Sequence, residues 1–288
     1  MCDEATEADL DRAGVPVRRR DFGALVGAGT LAAMLPVAAG AAGPVKGRDV
    51  TIATADGTVD AYFVAPAEGR HPAVLIWPDI RGLRSAFRQM ADRLAGEGYA
   101  VLCVNPFYRW TKAPAGYAGH DFDDPAARET LFGYLRQLTR PVVETDAAAH
   151  LAFLDAQAEV DTARGIGTAG YCMGGPMVIY TAALKPDRVK AAASFHGAGV
   201  GTGKPDSPHL LIPDTQAGFL FAIAENDDAK EPEEKNRLNA VLAPRPQWHE
   251  VEVYNALHGW CPPDGRVYDE AAAEKAWGRM LELFKSSL

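Results

Sequence analysis

The feature that most constrains the fold is an alternation of short apolar runs with helical patterns. Such continuous runs are typical of strands that are buried on both faces of a parallel sheet. Between them, apolar residues recur at helical spacing, as from Ser85 to Glu97, and Gly98 ends that helix. The order predicts an α/β fold, with a mostly parallel central sheet and helices on both faces. The predicted buried strands are Ala73–Trp77, Ala100–Val104, Ile166–Tyr171, Val189–Phe195 and Phe219–Ala224.

The first strands of the chain predict an antiparallel addition to this sheet. Val50–Thr54 and Val59–Val64 flank Asp56-Gly57, which is a hairpin signal. The length of 288 residues, 48% of them hydrophobic, suits one large core, so residues 42–288 are predicted to form a single domain. The remaining predicted elements are helices at Pro125–Leu138, Pro141–Gln157, Pro176–Lys185, Glu231–Val241 and Asp269–Phe284, and a last strand at Trp248–Tyr254.

Residues 1–41 have the order of an export signal. The basic stretch Arg18–Arg20 precedes an uncharged run of residues 23–37, and Ala39–Ala41 is a small-x-small cleavage site. The paired arginines with Phe22 two positions on are similar to the twin-arginine type, which predicts a periplasmic location. An uncleaved membrane anchor is the alternative, although the run is short and weakly apolar for a span. After cleavage we expect no stable membrane insertion.

The net charge limits the classes of partner, and the cysteines limit the possible disulfides. The formal net charge of -9 argues against nucleic-acid binding and against anionic lipid surfaces. No glycine-rich phosphate motif follows a strand, and no ligand spacing indicates a metal, so no cofactor is predicted. The predicted mature chain keeps Cys103, Cys172 and Cys261. An oxidising compartment would permit a Cys103–Cys261 bridge.

The segment Gly170–Gly175, written GYCMGG, points to chemistry. It joins a buried strand to a helix and has the Gly-x-Cys-x-Gly pattern of a nucleophile elbow, with cysteine in the usual place of serine. Gly170 and Gly174 would give room where a strained turn crosses neighbouring backbone. The Cys172 thiol would stand at a helix N-terminus, which favours the thiolate. The alternative is an inert buried thiol.

Polar side chains follow the other predicted strands, at the edge where ligands bind in open α/β sheets. An acid and then a histidine follow the nucleophile in chain order, each after a different strand. Asp227 and its neighbour Asp228 compete for the acid, and His196 and His209 are rivals of His258. The polar positions at strand ends are Asp79, Arg81, Tyr108, Arg109, Cys172, His196, Asp227 and His258.

Taken together, these segments resemble the dienelactone hydrolase family, an α/β-hydrolase family with a Cys-His-Asp triad. The resemblance rests on Trp77–Gly82, Gly170–Gly175, the stretch at Asp227, and His258–Trp260, and it covers the chain from about Val50 onward. It implies Cys172 as nucleophile, His258 as general base and acid, and Asp227 as the residue that orients His258.

The resemblance also implies roles around the triad. The backbone N–H groups of Ile80 and Met173 would form the oxyanion hole. The family usually has Glu where this chain has Asp79, and that carboxylate acts as a switch that deprotonates the thiol. Because Asp79 is one methylene shorter, the switch is in question here. The implied substrate-binding residues are Arg81, Tyr108, Arg109 and Trp260.

The function implied is hydrolysis of a small lactone or activated ester through an acyl-cysteine intermediate. A thiolate prefers acyl groups with good leaving groups, so poor activity on plain alkyl esters is expected. One alternative is a cysteine peptidase or a peroxide-reactive thiol protein on the same fold. The other is a binding protein that has lost turnover, which the Asp79 departure favours. The sequence predicts no particular oligomeric state.

Overall fold

Eight strands form one mixed sheet in the computed structural model, which describes residues 43–113, 124–197 and 199–288. The predicted export signal lies outside these residues, so export remains a prediction. The strand order is β1-β2-β4-β3-β5-β6-β7-β8. The strands are β1 (Val45–Thr54), β2 (Gly57–Pro66), β3 (Ala73–Trp77), β4 (Ala100–Val104), β5 (Ile166–Tyr171), β6 (Val189–Phe195), β7 (Gly218–Ala224) and β8 (His249–Tyr254).

The pairing confirms the predicted α/β-hydrolase fold. Strands β3 to β8 run parallel to one another, whereas β1 and β2 form an antiparallel hairpin that joins β4. Every residue of β3, β4 and β5 is buried, which explains the continuous apolar sequences of β3 and β4. The carboxyl ends of these parallel strands lie at one edge of the sheet.

Helices cover both faces of the sheet and divide the core into two layers. Helices α1 (Ser85–Gly96) and α7 (Glu270–Ser287) pack on one face, through residues such as Phe87 and Phe284. The opposite face carries α2, α3, α4 and α6. No helix in the described ranges is long and apolar enough to cross a membrane. The other helices are α2 (Pro125–Leu135), α3 (Arg140–Asp155), α4 (Gly174–Leu184), a 3-10 helix (Pro208–Asp214), α5 (Glu225–Lys230) and α6 (Glu234–Leu242).

The region after β7 differs from the sequence prediction. A single helix was expected over Glu231–Val241, but two helices are present, and α5 begins directly after the strand. Most residues of α5 are polar, and only Asp227 is buried, so the segment has no apolar stripe that would predict a helix. The predicted triad acid therefore lies on a short helix.

The turn from β5 into α4 lies very close to neighbouring backbone. A Cβ atom on Gly170 would lie 2.1 Å from the carbonyl oxygen of Gly174, and one on Gly174 would lie 2.5 Å from the carbonyl oxygen of Trp77. Backbone atoms cannot move aside as the end of a flexible side chain can. These two glycines are therefore required by the crossing, as the sequence pattern predicts.

We expect the variant Gly174→Ala to lose about 3 kcal/mol or more of unfolding free energy, because its methyl group would force strand β3 and helix α4 apart. Gly278→Ala in α7 is the matched control, since nothing lies within 4 Å of the added Cβ. It should gain up to ~1 kcal/mol from helix propensity. Chemical denaturation measures both, and equal stabilities for the two variants would contradict the steric argument.

Candidate active site

Cys172 occupies the turn between β5 and α4. Its backbone φ is +54°, in the left-handed region that non-glycine residues seldom adopt. The Cys172 N–H donates to the carbonyl oxygen of Phe195 at 3.0 Å, and its carbonyl oxygen accepts from the Gly175 N–H at 3.0 Å. These bonds hold the strained residue from both sides, as in a nucleophile elbow.

A buried acid–histidine pair follows the last two strands. Asp227 Oδ2 lies 2.6 Å from His258 Nδ1, and both side chains are almost fully buried. The N–H of His258 also donates to Oδ1 of Asn226 at 2.8 Å, which fixes the histidine backbone against α5. Asp228 points elsewhere and binds Lys235 at 2.6 Å. The geometry therefore joins Asp227, and not Asp228, to His258.

The two rival histidines lie in other surroundings. His209 lies at the start of the 3-10 helix, where its Nδ1 is 2.7 Å from the hydroxyl oxygen of Ser207. His196 is buried at the end of β6, and its ring meets that of His258 edge-on, with 5.0 Å between centroids. Burial lowers the pKa of His196 well below its usual value, and His258 lowers it further. His196 is therefore neutral at pH 7.

The two predicted oxyanion donors flank the elbow. Ile80 follows β3 and Met173 follows Cys172, and both residues are buried. Within the described part of the chain, neither backbone N–H donates to a protein acceptor. Because Gly174 abuts the Trp77 carbonyl, the loop after β3 and the turn after Cys172 are neighbours. Two buried donors without acceptors at this place suit a developing negative charge.

Asp79 is engaged by an arginine that the sequence analysis did not identify. Its Oδ1 and Oδ2 accept from Nη1 and Nη2 of Arg84 at 2.7 and 2.9 Å, and Oδ1 also accepts from the Arg81 N–H at 2.8 Å. Arg84 further binds Asp264, from the loop after His258. This arrangement gives no support to the predicted thiol switch, since the carboxylate is occupied by the guanidinium.

Two of the predicted substrate-binding residues belong to a different network. The Tyr108 hydroxyl donates to Asp146 at 2.8 Å and lies 2.8 Å from the Thr54 hydroxyl. Arg109 forms ion pairs with Asp56 at 2.6 Å and with Asp146 at 2.8 Å. These bonds tie the loop after β4 to the hairpin and to α3. Since their polar groups are used there, the structure does not present Tyr108 or Arg109 to a substrate.

The other two predicted binding residues also differ from each other. Trp260 is fully buried, stacks on Tyr254 at 5.3 Å and meets the His196 ring at 5.1 Å. It therefore packs behind His196 and is not exposed to a substrate. Arg81 remains accessible, with 39% of its side chain exposed and Nη1 at 3.5 Å from Asp264. Among the four residues, Arg81 has the most exposed side chain.

The remaining described cysteines are free and do not bridge. Cys103 and Cys261 are both buried, so the Cys103–Cys261 bridge considered from the sequence is absent. Burial raises the pKa of both thiols, which disfavours their thiolates. Cys261 contacts a cavity of about 210 Å³, between α1 and α7, that has none of the triad residues in its wall. Neither thiol resembles an activated nucleophile.

The described ranges contain no cluster of three or more His, Cys, Asp or Glu side chains placed to hold a metal ion. The site residues missed at the sequence level are Asn226, Arg84 and Asp264. Asn226 lies beside Asp227 at a strand end, a position that signals a site residue. Arg84 precedes a helix and Asp264 lies in a loop, and nothing in their local sequence indicates that they meet.

Comparison with known proteins agrees with this geometry. The profile of the dienelactone hydrolase family matches residues 59–288. The carboxymethylenebutenolidase of Rhodococcus opacus is 27% identical over 226 residues, covering 76% of this chain and 83% of its own. A Synechocystis protein is 28% identical over 249 residues, covering 85% of this chain and 98% of its own. Its name, carboxymethylenebutenolidase, is a provisional one.

Solved structures show the same fold. A Klebsiella pneumoniae protein, assigned by inference as a dienelactone hydrolase, superposes with a TM-score of 0.71 at 25% identity, covering 84% of this chain and 99% of its own. The dienelactone hydrolase of Anabaena variabilis superposes with a TM-score of 0.61 at 15% identity, covering 85% and 99%. The sheet order and the cysteine elbow thus define an α/β-hydrolase. The chain belongs to the dienelactone hydrolase family, and it is a hydrolase of the carboxylic-ester class.

The choice between the two acids yields a direct test. We expect Asp227→Asn to lower kcat/KM for ester hydrolysis by about 10³-fold, because the amide cannot stabilise a cationic His258 and favours the wrong tautomer. Asp228→Asn should leave kcat/KM within about twofold, since it removes only a partly exposed pair with Lys235. Steady-state kinetics on both variants decides, and the reverse order of effects would assign the acid to Asp228.

Proposed function

We propose that the protein hydrolyses a small lactone or an activated ester through an acyl-cysteine intermediate. The observation that carries the proposal is the buried Asp227–His258 pair at 2.6 Å, which lies at the same sheet edge as the elbow with Cys172. Family membership supplies the class of reaction, and the residues at the strand ends supply the groups that such a reaction needs.

In the first half-reaction, the reduced Cys172 sulfur attacks the acyl carbon while Nε2 of His258 takes the thiol proton. The carbonyl oxygen becomes an oxyanion, which accepts hydrogen bonds from the Ile80 and Met173 N–H groups. The C–O bond to the leaving group then breaks, and His258 returns the proton to the leaving oxygen. Asp227 stabilises the imidazolium that exists between these two proton transfers.

In the second half-reaction, water attacks the thioester formed on Cys172. His258 takes a proton from this water, and the same N–H donors hold the second oxyanion. The C–S bond breaks, and the sulfur leaves as a thiolate or takes the proton back from His258. The acid product is released and the resting site is restored, so one water is consumed for each ester bond cleaved.

The nucleophile restricts the substrates. An ordinary alkoxide leaves a tetrahedral carbon less readily than the Cys172 thiolate does, so plain alkyl esters would return to substrate. An enol or phenol leaves more readily, which favours enol-lactones and aryl esters. The name of the Rhodococcus opacus relative describes a butenolide lactone that carries a carboxymethylene group. For such an anionic lactone, Arg81 is the accessible cation beside the site.

The acyl-cysteine intermediate would increase the mass of the protein, which intact-mass spectrometry can detect. We expect the reduced wild-type protein to hydrolyse p-nitrophenyl acetate and a dienelactone, and intact-mass spectra during turnover to show an acyl adduct. Cys172→Ala should show neither turnover nor adduct, because no other described thiol is activated. The control Cys103→Ala should keep both. Peroxide-dependent sulfenate at Cys172 without acyl turnover would favour a redox protein, and ligand binding without turnover would favour a binding protein.

The anion-binding role of Arg81 separates two substrates. We expect Arg81→Gln to raise KM for a carboxylate-bearing dienelactone about tenfold, which corresponds to losing one charge-assisted hydrogen bond of ~1.4 kcal/mol. KM for neutral p-nitrophenyl acetate should stay within about twofold. Arg88→Gln is the control, since Arg88 in the first turn of α1 binds Asp49 of β1, which is not a site residue. An equal rise in KM for both substrates would assign Arg81 a structural role.

A further inference from the structure

Arg84 connects the two loops that carry the predicted oxyanion donor and the histidine. We define the oxyanion loop as residues 79–82 and the histidine loop as residues 258–268. Arg84 binds Asp79 in the first loop and Asp264 in the second, although Asp264 is 180 positions away in the chain. Its side chain is only 11% exposed. A buried arginine between two loops of a site is placed to fix their relative position.

All the N–H donors of the Arg84 guanidinium are used. Nη1 donates to Asp79 Oδ1 at 2.7 Å and to the Gly82 carbonyl oxygen at 3.2 Å. Nη2 donates to Asp79 Oδ2 and to Asp264 Oδ1, each at 2.9 Å, and Nε donates to Asp264 Oδ2 at 2.7 Å. Since a guanidinium has five such donors in a fixed plane, the two loops are held in one geometry.

The network favours the charged forms of both Arg84 and Asp264. Burial alone would lower the pKa of Arg84, but the charge of Asp79 and the hydrogen bonds with both carboxylates raise it. Burial alone would raise the pKa of Asp264, but the hydrogen bond and charge of Arg84 outweigh it, and the pKa is lowered. Removing one partner would leave a buried charge unpaired, which is costly.

Asp79 transmits this constraint to the predicted oxyanion donor. Its Oδ1 accepts from the Arg81 N–H, and its carbonyl oxygen accepts from the Gly82 N–H, each at 2.8 Å. Both bonds span Ile80, and Gly82 has a φ of +69°, which closes the turn. The direction of the Ile80 N–H is therefore set by Asp79, which is itself held by Arg84.

Asp264 ties the same network to His258. The histidine loop is closed on itself, since the Gly265 N–H donates to the Pro262 carbonyl oxygen at 2.9 Å and the Asp269 N–H donates to the Trp260 carbonyl oxygen at 3.2 Å. A shift of Asp264 would therefore be transmitted toward His258. Arg84 is the point at which this loop and the oxyanion loop are joined.

We propose that Arg84 is a positioning residue, which together with Asp79 and Asp264 holds the Ile80 N–H in register with the histidine loop. The proposal rests on the proposed acyl-cysteine function. In this arrangement Asp79 builds the oxyanion loop and does not exchange with the Cys172 thiol.

The variant Arg84→Lys tests the proposal, because lysine keeps the positive charge but lacks the planar five-donor fork. We expect kcat for p-nitrophenyl acetate to fall about 30-fold, part of the 10²–10³ that one oxyanion donor supplies, with KM within about threefold. The rate and pH profile of iodoacetamide alkylation at reduced Cys172 should stay unchanged, since alkylation needs no oxyanion hole. A merely structural role would leave kcat intact below the unfolding temperature.

The matched control is Arg93→Lys. Arg93 joins α1 to α7 through a two-bond pair with Glu274, at 2.6 and 2.7 Å, and among the described residues it forms no hydrogen bond with either loop. It should change unfolding but leave kcat within twofold. If Arg84→Lys does not fold, Asp264→Asn is the milder second variant. If both variants fold, we expect the double variant to lose less kcat than the product of the two single losses, because both changes disrupt the same network.

The outcomes separate this inference from the proposed function. A kcat of Arg84→Lys and Asp264→Asn within twofold of wild type, in a protein whose turnover still requires Cys172, would overturn the positioning role alone. A shifted alkylation profile in Arg84→Lys would also overturn it, in favour of a carboxylate that acts on the thiol. Wild-type turnover that survives Cys172→Ala would instead overturn the proposed function.

Discussion

The contact on which the rest of the site depends is the one between the start of α4 and the end of β3. Gly174 lies so close to the Trp77 carbonyl that a methyl group cannot enter. This approach sets the loop after β3, which contains Ile80, beside the turn after Cys172, which contains Met173. The strained φ of Cys172 and the closeness of the two segments that carry the proposed oxyanion donors thus belong to a single crossing of strand and helix.

Local sequence signals predicted the elements that make this crossing. The bounds of β3, β4, β5 and β6 agree with the sequence prediction, because each is a short, mostly apolar run that is buried in the sheet. The glycines of the elbow were also readable, since few other roles explain them at a strand-to-helix junction. In contrast, α5 had no apolar stripe, and its polar residues read as a loop.

Ion pairs between residues that are distant in the sequence could not be predicted from it. Tyr108, Arg109 and Trp260 were placed at the correct edge of the sheet, but residue type and position do not say which carboxylate a guanidinium will meet. Arg109 found Asp56 and Asp146, and Arg84 found Asp79 and Asp264. Because such pairs are decided by three-dimensional proximity, a sequence motif assigns the edge of a site better than it assigns the side chains facing the substrate.

The two adjoining histidines show how the surroundings divide one chemistry between similar groups. His196 and His258 are both buried with their rings 5.0 Å apart, so two positive charges there would repel strongly. Asp227 Oδ2 lies 2.6 Å from Nδ1 of His258, whereas no carboxylate among the described residues forms a hydrogen bond with His196. Burial and the neighbouring imidazole lower the pKa of His196. His196 is thus a neutral neighbour of His258, and Asp227 binds His258 alone of the two rings. The position of one carboxylate therefore distinguishes His258, the base of the proposed reaction, from the similarly buried His196.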